Sequence, residues 1–233
     1  MLSGILFYGC GRHFTTPVFS IKAKDHKMVA VIPFQMIYTG RVHEKLSRAE
    51  IEKITENEAI AFQQALYNRL LTQSGTKKRD IKIEFQTPER TNKILLDSGI
   101  TPIYAYKETA ERLAQVLGVS SIVKSRVEKQ KYLTDLESFG IQLAGDLLNQ
   151  INITGNINLP VGADPNRISR THDIRIYNEL LNGTDASLLW QYHINTQTDW
   201  NYPANQLIID IARRTSRKFP YRDRNYFKNN LNR

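Results

Sequence analysis

Met28-Val29-Ala30-Val31-Ile32-Pro33-Phe34 is a short, dense apolar run rich in β-branched residues. Such a run reads as a buried strand. Pro33 has no N–H to give a ladder, so the strand ends or bulges there. Ser47 and Glu50 then form a capping-box pattern. Beyond them Ile51, Ile54, Phe62, Leu66 and Leu70 recur near helical spacing, which predicts a long helix with one apolar face that stops at Gly75. Asp80 leads into Ile81-Lys82-Ile83-Glu84-Phe85, whose strict alternation predicts a half-buried strand.

Working outward, Thr87 and Pro88 suit the cap and first position of a helix that runs through Ile94, Leu95 and Leu96 to Gly99. Ala110, Leu113, Ala114 and Leu117 mark one face of a helix over 107–117, ended by Gly118. A strand over Ser121–Val127 follows. The order β-α-β-α-α-β predicts an α/β (α+β) fold, with helices packed on a mixed sheet. Residues 134–172 are irregular, with a helix expected over 136–148. A small hairpin is expected over 151–161 around Thr154-Gly155-Asn156, and Pro160, Gly162 and Pro165 suit an exposed excursion after it. Asp173–Leu180 and Ala186–Ile194 flank Asn182-Gly183-Thr184-Asp185, the clearest hairpin signal in the chain. A last helix from Pro203 carries Leu207, Ile208, Ile211 and Ala212 and ends before Pro220.

With 233 residues, 41% of them hydrophobic, the chain can build one large domain. No apolar run reaches the roughly 18–20 residues of a spanning helix. The single cysteine excludes an intramolecular disulfide and a cysteine-cluster metal site. The formal charge of +9 favours anionic partners. The excess gathers in Arg213, Arg214, Arg217, Lys218, Arg222, Arg224, Lys228 and Arg233, with a second group in Lys77-Lys78-Arg79. Both read first as ordinary charge, at a helix C-terminus and in a polar turn.

No catalytic pattern emerges. His13, His26, His43, His172 and His193 are isolated, and neither His-Glu-x-x-His nor a phosphate loop is present. No Gly-x-Ser-x-Gly elbow occurs. Glu50, Glu52, Glu56 and Glu58 spread over several faces of one helix and read as solvated. The expectation is a protein without catalytic residues, metal or cofactor.

Cys10 closes the apolar stub Leu2-Ser3-Gly4-Ile5-Leu6-Phe7-Tyr8-Gly9. Phe7-Tyr8-Gly9-Cys10 resembles the lipobox of a bacterial lipoprotein signal, with Gly9 at the small position. Phe7 replaces the usual leucine and Tyr8 the usual small residue. No basic residue precedes Arg12, where a secretory segment carries one; a natural start upstream of Met1 would supply it. The alternative is an ordinary free or buried cysteine. On the lipid reading, residues 1–9 are a signal remnant and Cys10 carries palmitate-type acyl chains. Residues 10–27 are then a tether, 28–221 a single domain with an excursion at 134–172, and 222–233 a basic tail.

Four features combine in order: the strand Val29–Phe34 before a long helix; Leu113-Ala114-Gln115-Val116-Leu117-Gly118-Val119 leading into a strand; the hairpin with Leu188-Leu189-Trp190; and a final helix closing on Lys218-Phe219-Pro220-Tyr221. Together they resemble a group of bacterial envelope lipoproteins that includes the N-terminal domain of TolB, the penicillin-binding-protein activator LpoB and the curli secretion protein CsgG, and most of all Bacteroidetes lipoproteins of this kind. The resemblance spans about residues 28–133 and 173–221. It implies an anticodon-binding-domain-like sandwich exported to the periplasm and held at the outer membrane, with no catalytic residues to carry over. Partners would then be the membrane, through the anchor, and envelope proteins, with homo-oligomerisation open.

Aromatic and arginine side chains dominate protein contacts, so the conspicuous aromatics Trp190, Tyr192, Trp200 and Tyr202 are possible anchors, and Trp200, Tyr202, Arg213 and Arg217 are the candidate contact residues. Trp190 reads as core. Two alternatives to an envelope scaffold remain. One is a subunit of a CsgG-like secretion assembly, although each arm of 151–161 is too short for the roughly 9–11 residues of a membrane strand. The lower-ranked one is a basic cytoplasmic nucleic-acid-binding domain with an unmodified Cys10.

Overall fold

The computed structural model describes residues 11–39, 47–77, 79–129, 171–199 and 204–222. The helix expected over 136–148 and the hairpin over 151–161 lie outside them. The described elements are β1 (Gly11–Thr15), α1 (Phe19–Lys22), β2 (Met28–Val31), β3 (Gln35–Tyr38), α2 (Arg48–Leu71), β4 (Glu84–Phe85), α3 (Pro88–Asp97), a 3-10 turn (Pro102–Lys107), α4 (Ala110–Leu117), β5 (Ser121–Lys129), β6 (Thr171–Asn182), β7 (Leu188–Asp199) and α5 (Ala204–Arg217).

Seven strands form one mixed sheet in the order β1-β7-β6-β5-β2-β4, and β3 also pairs with β5. The fold is α+β, as the element order predicts. β2 and β3 run parallel to β5, opposite Ser121–Val123 and Arg126–Lys129 respectively. They form one line interrupted at Ile32-Pro33-Phe34, where proline cannot donate. The break moves the Phe34 N–H onto the Ala59 carbonyl of α2 at 3.3 Å. Sequence periodicity ended the strand at Pro33 and missed β3, since Gln35–Tyr38 is short and half-buried throughout.

One face of the sheet packs under α1, α2 and α5. Val29, Val31, Val123, Val127, Ile176, Leu180, Trp190 and Ile194 meet Phe62, Leu66 and Leu70 of α2 and Ile208, Ile211 and Ala212 of α5. Trp190 is fully buried, against Phe219 at 5.6 Å. Among the described residues, the other face is covered only at one end, where Ala30, Ile32 and Ile122 pack beneath Leu95 of α3 and Leu113, Ala114 and Leu117 of α4.

The caps follow the sequence. Ser47 and Glu50 make the reciprocal capping box, and the Thr87 and Thr109 hydroxyls accept from Arg90 N and Arg112 N. Gly118 closes α4 in the left-handed region, φ +66°. α2, in contrast, stops at Leu71 with Thr72 as its cap, three residues before Gly75 is reached. The strand expected over 81–85 is reduced to β4 and two isolated bridges from Ile81, to Ser74 and to Arg222.

Residues 11–27, expected to be a tether, contain β1 and α1. β1 pairs antiparallel with β7, from Gly11 opposite Ile194 to Thr15 opposite Trp190. Phe19 joins the core against Tyr221 at 5.2 Å. The pattern was invisible because an edge strand of Arg12, His13 and Phe14 buries little. The β6–β7 hairpin forms where its signal predicts, but Asn182 still belongs to β6 and the turn lies beyond it. Its connection spans 183–187, and Ala186, not Gly183, takes positive φ, at 49°. Asp185 organises it, accepting from Asn182 Nδ2 at 2.7 Å, Ser187 N at 3.1 Å and Lys22 Nζ at 2.5 Å. Gly183 is needed for space, because a Cβ there would lie 2.5 Å from the Ala114 Cβ and 2.8 Å from the Ser120 carbonyl.

Candidate functional site: the open face of the sheet

β5, β6 and β7 are long antiparallel neighbours, and side chains alternate between the faces of such a sheet. Ile174, Ile176, Asn178 and Leu180 of β6 turn to the α2–α5 side and are buried. Asp173, Arg175, Tyr177 and Glu179 therefore turn to the opposite side, the first three beyond the cover of α3 and α4 and Glu179 beside Lys124 at its edge. The register sets Lys124 opposite Glu179, Arg126 opposite Tyr177 and Glu128 opposite Arg175. It also sets Tyr177 opposite His193, and His193 opposite Arg12 of the edge strand.

These side chains form a ladder across the strands. The Arg126 guanidinium lies over the Tyr177 ring at 4.4 Å. The Tyr177 and His193 rings meet edge to face at 4.9 Å. Arg126 Nε is 3.2 Å from Glu128 Oε1. Phe14 of β1 adds an apolar ring, 45% exposed, in the row of Gln191. Opposed charges and a stacked guanidinium hold these groups at about 0.2–1 kcal/mol per pair. They are thus half-fixed yet half-exposed, on strands buried on the reverse side. Lys124, at the covered end, donates to the Tyr106 carbonyl at 3.2 Å and to that of Glu108. Burial pushes its ammonium below the ordinary lysine range.

Two buried polar clusters lie elsewhere. Glu58, read from the sequence as solvated, is 1% exposed. It shares the apolar stripe of Ile54 and Phe62, and that four-residue spacing is the signal that could have placed it inside. Its carboxylate accepts from Lys129 Nζ at 2.7 Å and from the Tyr38 hydroxyl. Burial, first, and the Glu58 charge, second, push the Tyr38 phenol far upward. The cluster ties the middle of α2 to the ends of β3 and β5.

The second cluster centres on His26. Asn182 gives its amide N–H to Asp185, so its oxygen faces His26 Nε2 at 3.1 Å. An amide oxygen only accepts, so Nε2 carries the hydrogen and Nδ1 accepts from the Tyr221 hydroxyl at 2.6 Å. Ser121 Oγ then donates to that hydroxyl at 3.0 Å. Every group serves to join β5, the hairpin turn and the segment after α5. Ser121 meets the tyrosine, not the imidazole, so this is no activated nucleophile.

Of the residues singled out from sequence, Cys10, Trp200 and Tyr202 lie outside the described residues. Arg213 and Arg217 are exposed on α5, on the side of the sheet opposite the ladder; Arg213 pairs with Asp210 at 2.6 Å. The structure therefore does not bring them to the open face. Arg126, Tyr177 and His193 were missed because only strand register makes them neighbours. Among the described residues, no group of three or more His, Cys, Asp or Glu is placed to hold a metal ion. No described helix is long and apolar enough to cross a membrane.

No protein-family model and no curated protein matches this sequence. Solved structures of similar shape include bacterial lipoproteins. The PelC dodecamer from Paraburkholderia phytofirmans is 11% identical, with 90% of this chain and 96% of that one covered and a TM-score of 0.43. Lipoprotein GNA1162 from Neisseria meningitidis is 9% identical over 81% and 94% of the two chains, TM-score 0.43. The LpoB C-terminal domain from Salmonella enterica is 9% identical over 78% and 94%, TM-score 0.32. At such scores these likenesses carry no part of the functional argument.

Proposed function

We propose that this chain is a lipoprotein anchored to the periplasmic face of the outer membrane through Cys10, and that it acts as a non-catalytic scaffold or regulator of an envelope assembly. The observation that carries the contact role is the Arg126–Tyr177–His193 ladder. It presents an arginine and two rings on strands whose other face is the core, and such preorganised groups lose little freedom on binding. Phe7-Tyr8-Gly9-Cys10 supports the anchor. The described strands and helices then act as one unit, and Trp200 and Tyr202, which follow β7 in the chain, extend the candidate contact set.

The test is made in the native host. Cys10→Ala is expected to lose acyl labelling and to leave the membrane fraction in a high-salt wash, which screens any electrostatic binding. A photo-crosslinker at Tyr177 is expected to capture an envelope protein, and Arg126→Ala to reduce that capture without lowering the unfolding midpoint by more than a few degrees. Native mass spectrometry decides whether the contact is with a second copy. Full membrane retention of Cys10→Ala after the high-salt wash, or recovery of the natural protein in the cytosol with a bare thiol, refutes the anchor.

A further inference from the structure

The two basic groups that the sequence separates meet at one end of the molecule. The Lys82 N–H donates to the Tyr221 carbonyl at 3.2 Å. Arg222 Nη1 donates to the Arg79 carbonyl at 3.4 Å and Nη2 to that of Ser216 at 2.7 Å. Gln73 Nε2 holds Ser216 Oγ at 2.6 Å. The loop after α2 and the end of α5 are thus stitched together, gathering Lys77, Arg79 and Lys82 with Arg217, Lys218 and Arg222.

A third stretch joins them. The Glu84 N–H donates to the Lys27 carbonyl at 3.2 Å, and Phe19 of α1 packs on Tyr221. This brings Lys24 and Lys27 to the same end. Among the described residues the carboxylates there are Asp25, Asp80, Glu84 and Asp185, the last paired with Lys22 at 2.5 Å, fewer than the cations. None of Lys27, Lys77, Arg79, Arg217 and Lys218 is in an ion pair among the described residues. Within this basic ground two aliphatic side chains stand out into solvent, Ile21 at 73% and Val18 at 42% exposure.

We infer that this end docks on an anionic bilayer surface, with the cations over lipid headgroups and Ile21 and Val18 at the headgroup boundary. Apolar residues set among lysines and arginines suit that interface. A single-stranded nucleic acid would need exposed rings on which to stack bases, whereas among the described residues the rings at this end are buried, Phe19, Phe219 and Tyr221, or half-buried, Phe85. The inference rests on the envelope reading only for bringing a bilayer within reach. A docked face beside α1 would also fix the orientation of the domain and turn its sheet face to partners.

The test uses the full chain carrying Cys10→Ala, so that no acyl chain contributes, and co-sedimentation with phosphatidylglycerol-containing or purely phosphatidylcholine vesicles. Binding is expected to the anionic vesicles and to fall to background on the neutral ones. Arg79→Ala with Arg217→Ala is expected to weaken binding about 25-fold, at roughly 5-fold per cation. Arg12→Ala with Arg175→Ala removes the same charge from the sheet and is expected to change it less than about 2-fold. Ile21→Ser is expected to weaken binding to anionic vesicles and leave heparin binding unchanged. Equal losses in the two arginine pairs, equal binding to neutral vesicles, or no effect of Ile21→Ser overturns the inference. The location of the natural protein is read separately by fractionation, so either idea can fail alone.

Discussion

Removal of the Glu58 carboxylate is the most demanding test of this structure. Lys129 and Glu58 are 7% and 1% exposed at the side chain, and Glu58 also receives the Tyr38 hydroxyl. Glu58→Ala leaves a buried ammonium without its carboxylate and a buried phenol without its acceptor. Breaking a buried pair from one side costs about 3–5 kcal/mol. In a domain of this size each kcal/mol moves the thermal midpoint by about 2–4 °C, so the midpoint should fall by about 6–20 °C. The cost is desolvation of a charge that has lost the Glu58 carboxylate, not loss of attraction alone. Glu58→Leu combined with Lys129→Met should therefore recover most of it, since the Lys129 side chain is buried with its ammonium 5.4 Å from the Phe62 ring centre. The assay is thermal unfolding followed by circular dichroism at neutral pH, with urea midpoints as a check. A loss below about 1 kcal/mol in Glu58→Ala, the size of an exposed pair, would refute burial of this cluster. A double variant worse than the single one would refute the desolvation argument.

Burial, outweighing the Asn182 bond, holds the His26 imidazole below its ordinary value. A histidine depressed in the folded state makes the unfolded chain the better proton binder. Stability should then fall as pH drops through about 6.5, the unfolded histidine value, and level off below the folded one; His26→Gln should flatten that limb of the urea-midpoint profile, and an unchanged limb rejects the assignment. Gly183→Ala forces a methyl against Ala114 and the Ser120 carbonyl and should cost about 1–3 kcal/mol by chemical unfolding; a neutral effect would mean that the hairpin does not sit against α4 as described.

Neutral, folded scaffolding is visible in this sequence where burial is one-sided. The capping box at Ser47, the stripe from Ile54 to Leu70, the dense run at Val29–Ile32 and the alternation of Ile174, Ile176 and Leu180 each state their structure locally. An apolar face must be repeated at the period of its own element, so periodicity reveals it. Trp190 was legible as core for the same reason, lying in the apolar run Leu188-Leu189-Trp190.

The open face was not legible, and neither were the buried charges. Arg126, Tyr177 and His193 are each unremarkable polar positions on separate strands, and only antiparallel register makes them a ladder. Lys77 and Arg79 lie far along the chain from Arg217 and Arg222, and only the stitching through Gln73, Lys82 and Arg222 makes them one surface. Glu58 and Lys129 look solvated until α2 is laid across β5. Local sequence determines which side of each element avoids water, because that is a property of consecutive residues. Which polar groups meet is a property of packed elements distant in the chain, and the tertiary structure alone decides it.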